Sequence, residues 1–155
     1  MTGIIEIRTI GLEAAGKVVA AAVAEAEGLG VAVCVAVVDQ AGHLLAYGRM
    51  DGAALLCGKL AQDKAYSVAS FGGLPTHEWW DQISDEPALV HGLPQAERLV
   101  IFAGGVPIVH KGQAVGAVGV SGGSTEQDKT VAEAGARALA PKRTPRKRAV
   151  AVRRQ

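Results

Sequence analysis

The stretch FAGGVPIVHKGQAVGAVGVSGG, residues 102–123, sets β-branched residues that favour strands among glycines that weaken them. Glycine inside a strand costs conformational entropy and packs nothing, so it marks a turn, a bulge or a place where something approaches the backbone closely. With the residues before it, the stretch divides into three strand candidates, ERLVIFAGG, VPIVHKG and QAVGAVGVSGG, separated by Gly-containing turns. Phosphate is the first guest to consider. No GxxxxGKS is present, and Gly112, Gly116 and Gly119 fall within or between strands without opening onto a helix as a dinucleotide fingerprint requires. The helix start after SGGSTEQD is the one plausible anion site of that kind.

Upstream, the hydrophobic period changes in a legible order. Thr9 is placed to cap a helix through LEAAGKVVAAAVAEAE, which Gly28 and Gly30 end. VAVCVAVVD, residues 31–39, is apolar on both faces and reads as a covered central strand. LLAYGRM returns as its hairpin partner, with Gly42 where a positive φ is needed. AALLCGKLAQDKAYSVASF has helical spacing, with Leu56, Leu60, Ala61, Tyr66 and Val68 as its inner candidates. A short helix carries Trp79 and Trp80, residues 84–94 read as an irregular connection, and Ser124 caps a closing helix to about Ala140. Two strands and then three, joined by short turns, predict an α+β fold: an antiparallel sheet layered with helices.

The 155 residues suffice for one domain, expected over 1–140. Residues 141–155, PKRTPRKRAVAVRRQ, hold seven basic and no acidic residues, against nine basic and fifteen acidic in the remainder. This tail is expected to be disordered. It lacks the aromatic residues of a stacking platform, which argues against nucleic acid as a partner; a scaffold whose basic tails bind it is the weakest alternative. No apolar run approaches the roughly 20 residues of a membrane span, and no leader is visible, so a cytoplasmic location is expected. Cys34 and Cys57 lack CxxC spacing and read as buried thiols; His77, His91 and His110 lack zinc-like spacing, so no protein metal site is expected.

Polar candidates gather in two places. Asp39, His43, Arg49 and Asp51 flank the first hairpin; Asp39 suits a turn-supporting carboxylate, His43 a base, a ligand or an exposed turn residue, and Arg49 either an ion pair with Asp51 or a carboxylate clamp. Lys64 lies on the second helix. Buried, its ammonium needs a partner and its pKa falls toward acid–base or imine chemistry; exposed, it pairs with Asp63 or Glu126. Glu126 and Asp128 suit either a paired-carboxylate site or the helix N-terminus. Gly104, Gly105 and Gly119, with Pro107 stiffening the turn between strands, either bare the backbone to a ligand or neighbouring subunit, or serve hairpins and close helix-to-sheet packing. Adjacent tryptophans point about 100° apart, so one of the pair, with Trp79 the candidate, reaches a pocket or a subunit boundary.

The ordered set VAVVDQAGHLLAYGRMDGA, KLAQDKAY, THE, FAGGVPI and GAVGVSGGSTEQD resembles the GlcG/HbpS family, the haem-degrading or DUF336 domain, over about residues 11–139. The resemblance implies a five-stranded antiparallel sheet flanked by helices in a profilin-like layering, assembled into homo-oligomers. Members include haem-binding proteins, a domain appended to corrinoid adenosyltransferases, and proteins encoded among catabolic genes. It carries over no axial ligand, and no CxxCH is present. Three functions follow as expectations. The first is a binder of haem, another tetrapyrrole or a small anionic organic acid in a pocket at the sheet end, lined by Gly104, Gly105, Pro107, Gly119, Glu126 and Trp79. The second is a cofactor-independent hydrolase or lyase of a small catabolic acid, with Lys64, Arg49, Asp51 and His43 as its catalytic set. The third is the scaffold.

Overall fold

The computed structural model describes residues 3–140; the basic segment 141–155 lies outside them. The first helix, α1 (Leu12–Leu29), forms because Ala15, Val18, Ala22 and Ala26 recur at three- and four-residue spacing and bury one face. It stops at Gly30, whose left-handed φ of 68° lets its N–H reach the carbonyls of Ala26 and Glu27. Its N-cap is Gly11 without a side-chain bond. Thr9, the expected cap, is engaged elsewhere: its hydroxyl accepts from the Gln40 N–H and donates to the Val115 carbonyl.

Strands β1 (Cys34–Asp39) and β2 (Leu44–Arg49) form the first hairpin, closed by Gly42 at φ 91° and by Asp39, whose Oδ1 accepts from the amides of Ala41 and His43. Helix α2 (Leu55–Ser70) follows. A 3-10 turn (Thr76–Glu78) leads into the short helix α3 (Trp79–Ile83). The connection expected to be irregular contains a further helix, α4 (Pro87–Gly92), and a 3-10 turn (Leu93–Gln95). Strands β3 (Gly105–His110) and β4 (Gln113–Ser121) meet across Lys111 and Gly112, both at positive φ, as a tight hairpin demands. Ser124 and Gln127 make a reciprocal capping box at the start of α5 (Thr125–Arg137).

All strand pairs are antiparallel and the order is β2-β1-β4-β3. The α+β class and the flanking helices are as expected, but among the described residues the sheet has four strands, not five. The missing strand is ERLVIFAGG. Arg98 adopts a left-handed φ of 65°, and the Ser67 hydroxyl on α2 takes the Val100 N–H (2.9 Å) and lies 3.0 Å from the Arg98 carbonyl. Those backbone groups are satisfied by a side chain, so a ladder has nothing to gain there.

The sheet separates two unlike interiors. Val33, Val35 and Val37, with Val106, Ile108, Val118 and Val120, pack toward α1 and α5 in one large cluster. The alternate residues, Cys34, Ala36, Val38 and Ala117, face α2 with Ala61 and Ala65. On this second face Ala36, Gly119 and Gly105 are register partners across β1, β4 and β3, a row almost bare of side chains. Helix α2 lies directly on that row. A Cβ at Gly119 would sit 2.0 Å from the Ala61 carbonyl oxygen and 2.5 Å from the Ala65 nitrogen, and one at Gly105 would sit 2.7 Å from the Lys64 carbonyl oxygen. This explains two glycines of the opening stretch: Gly105 and Gly119 are the bed of a helix. It also moves the inner face of α2 to Ala61, Lys64, Ala65 and Val68, leaving Leu56, expected inside, exposed.

Gly16 stands by contrast in the interior of α1 with open space where a Cβ would lie. Gly16→Ala is therefore expected to raise the unfolding free energy by about 1 kcal/mol, measured by urea denaturation, since it removes backbone entropy at no steric cost.

Candidate functional site

Lys64 is fully buried. Its Nζ donates to Asp128 Oδ2 at 2.9 Å and to the Val120 carbonyl at 2.8 Å, and lies 4.9 Å from the centre of the Phe102 ring. Asp128, also buried, uses Oδ1 to accept the Gly123 N–H at 2.8 Å. Burial pushes the ammonium's pKa below its ordinary value, while Asp128 pulls it back up. The lysine's partner is therefore Asp128, and neither Asp63 nor Glu126. Lys64 joins α2, β4 and α5 in one buried ion pair. Gly104 makes room for it: at φ 122° its missing Cβ would sit 2.7 Å from Nζ. The close approach allowed by Gly104, Gly105 and Gly119 is made by the chain itself, in line with the helix-to-sheet packing that is one of the two readings of these glycines.

The hairpin quartet does not converge. His43 and Arg49 flank the opposite ends of β2, about 20 Å apart at 3.3 Å per residue. Arg49 donates to the Ala53 carbonyl through Nε and Nη2 at 3.4 and 3.3 Å, and no ion pair joins it to Asp51, which is exposed. His43 is exposed, with Nδ1 3.2 Å from Asp39 Oδ2. Partial burial raises the Asp39 pKa, but hydrogen bonds from the backbone and ring of His43 and from the Ala41 amide outweigh it, and the net shift is downward. Trp79 is buried, edge-on to Phe71 with ring centres 4.6 Å apart, and its Nε1 has no hydrogen-bond partner among the described residues; Trp80 is exposed. Glu126 is exposed in the first turn of α5. Pro107 lines a small groove of about 280 Å³ with His77, Glu78 and Arg137.

Two clefts of greater volume bear on function. One, of about 530 Å³, lies between the segment before α1 and the β3–β4 hairpin. Its walls are Ile7, Ile10, Ala14, Ile108, Val109, Val115 and Leu139, with Arg8, Thr9 and His110 as its polar groups. This is the size and lining of a small-molecule site, apolar with a few polar groups. Nothing local in the sequence marks it: Arg8 and His110 are a hundred residues apart, and their segments are brought together by the Ile10 N–H (2.8 Å) and the Thr9 hydroxyl (3.4 Å), both bonded to the Val115 carbonyl. The other, also about 530 Å³, lies on the α2 side, lined by Gly42, His43, Leu44, Lys59, Gln62, Asp63 and Arg98. Among the described residues no cluster of three or more His, Cys, Asp or Glu is disposed to hold a metal ion, and no helix is long and apolar enough to cross a membrane.

These features define a class: an α+β fold with helices on both faces of an antiparallel sheet. The chain belongs to the family described as "Haem degrading protein HbpS-like", which it matches over residues 10–137. It is 40% identical over 130 residues to an uncharacterised 15.0 kDa protein of the dhaT–dhaS intergenic region of Citrobacter freundii, covering 83% of this chain and 90% of that one. The crystal structure of Klebsiella pneumoniae protein ORFY superposes with a TM-score of 0.83 at 36% identity, over 89% of this chain and 95% of that one. A PduOC:haem complex superposes at 0.77 and 32% identity, over 85% of this chain and 96% of that one.

Proposed function

We propose that this protein binds haem, in the apolar cleft between the segment before α1 and the β3–β4 hairpin. The observation that carries the reading is the composition of that cleft. Seven aliphatic side chains offer a wall for a tetrapyrrole face, His110 supplies an imidazole for the iron, and Arg8 a guanidinium for a propionate. The residues present fit the group. The haem complex of a relative with the same fold supports it. Haem, when bound, supplies an iron centre for one-electron and small-ligand chemistry; the chain's part is to exclude water with its isoleucines and to fix the ring's orientation.

Titration with haemin, followed in the Soret band, tests this. The native chain is expected to give a saturable shift, and His110→Ala to weaken it about tenfold or more and change its coordination signature, while His43→Ala leaves both unchanged. A His110→Ala titration identical to the native one would overturn the site.

The hydrolase or lyase reading has less to stand on. Lys64 is held by two acceptors in the interior, and no hydrogen bond or ion pair joins Arg49, Asp51 or His43 to it. A homo-oligomer remains the proposed assembly, supported by the exposed apolar pair Leu55 (91%) and Leu56 (63%) at the start of α2.

A further inference from the structure

The α2-side cleft is built around one buried carboxylate and two cations. Asp63, 5% exposed, accepts from Lys59 Nζ and from Arg98 Nε, the latter at 3.0 Å. One negative charge faces two positive ones. The guanidinium of Arg98 is fixed in place by three further features. It lies 3.8 Å over the Tyr66 ring. Its backbone occupies the left-handed region, which few non-glycine residues adopt. The Ser67 hydroxyl, 2.7 Å from the Asp63 carbonyl and 3.0 Å from the Arg98 carbonyl, ties the Arg98 segment to the helix that carries Asp63. Only Nε of Arg98 is used: its two terminal nitrogens make no hydrogen bond among the described residues. Arg98 lines the cleft with Lys59, Gln62 and His43.

We infer that this cleft is a second ligand site, separate from the haem cleft, which binds a small carboxylate through the free fork of Arg98, with Lys59 and Gln62 beside it. A guanidinium held by Nε and stacked on an aromatic ring keeps its terminal pair preorganised for bidentate capture of a planar anion. A carboxylate arriving there would balance the surplus positive charge. The cleft has one aliphatic wall residue, Leu44, so the ligand class is a short polar acid and not a fatty one.

The test uses the full chain, calorimetric titration at about 0.15 M salt, and three probes: acetate, succinate and benzoate, with succinamide as the uncharged control. Saturable binding of at least one acid, and none of succinamide, is expected. Arg98→Gly keeps the left-handed backbone while removing the fork, and should weaken binding about tenfold or more. Lys59→Gln should weaken it severalfold, and the haemin titration should be unaffected by either change. If all three acids fail to bind, or bind Arg98→Gly as tightly as the native chain, the inference is overturned, whatever the haemin titration gives.

Discussion

Asp128→Asn is expected to lower the unfolding free energy by about 3–5 kcal/mol, the cost of leaving one member of a buried ion pair without its partner. The change is small in shape. Asparagine retains an oxygen for the Gly123 N–H that Asp128 Oδ1 accepts, so what is lost is the charge facing the fully buried Lys64. Lys64→Met should cost a similar amount, because Asp128 is then the stranded charge. Combining Lys64→Met with Asp128→Asn should recover most of the loss, since neither side chain then carries a charge, both keep close to the native volume, and asparagine still accepts the Gly123 N–H. Chemical denaturation of the four proteins provides the cycle; single variants within about 1 kcal/mol of native would show that water reaches the pair.

The pair also sets a pH dependence. Lys64 holds its proton less tightly in the folded chain than in the unfolded one, because burial lowers its pKa below 10.5 and the Asp128 attraction restores only part. Between the folded value and 10.5 the unfolded chain binds more protons, so this group makes stability rise with pH across that window. In Lys64→Met that rise should be absent.

Gly119→Ala is expected to be at least as damaging, costing about 3 kcal/mol or more. The added methyl would stand 2.0 Å from the Ala61 carbonyl oxygen and 2.5 Å from the Ala65 nitrogen, both main-chain atoms of α2. No rotamer change relieves a clash with backbone, so the helix must lift from the sheet, carrying Lys64 away from Val120 and Asp128 with it. Amide exchange in α2 should rise with the fall in stability. A Gly119→Ala protein within 1 kcal/mol of native would refute the tight seating of this helix.

Much of the fold was legible in the sequence because its signals are local. Gly42 and the capping box of Ser124 mark a turn and a helix start through their own backbone requirements. The two-faced apolar run of β1 marks a central strand in the same way. What was not legible depends on distant partners. ERLVIFAGG carries strand-forming residues, and only Ser67, thirty-one positions before Arg98, diverts its backbone. Leu56 looked like core because leucine usually is; on α2 the sheet offers glycines and alanines, and the close seat they allow excludes larger residues. The glycine pattern has two meanings, and nothing in one dimension says whether a guest or a helix fills the space.

The candidate sites divide similarly. Lys64 stood out as a lysine on an apolar helix, but its partner Asp128 lies sixty-four positions away. Lys59 and Asp63 are an i,i+4 pair on one helix and were open to detection. Arg98 carried no signal, since a left-handed arginine leaves no trace in composition or period.

One contact has a bearing on how the chain is made. Gly135 of α5 packs against Ala22 and Val18 of α1, so the first helix is sealed by the last. A ribosome adding roughly 5–20 residues per second releases the apolar stripe of α1 well before α5 exists to cover it. For that interval the nascent chain is an adhesive surface, and a truncation within α5 would leave every molecule in that condition permanently.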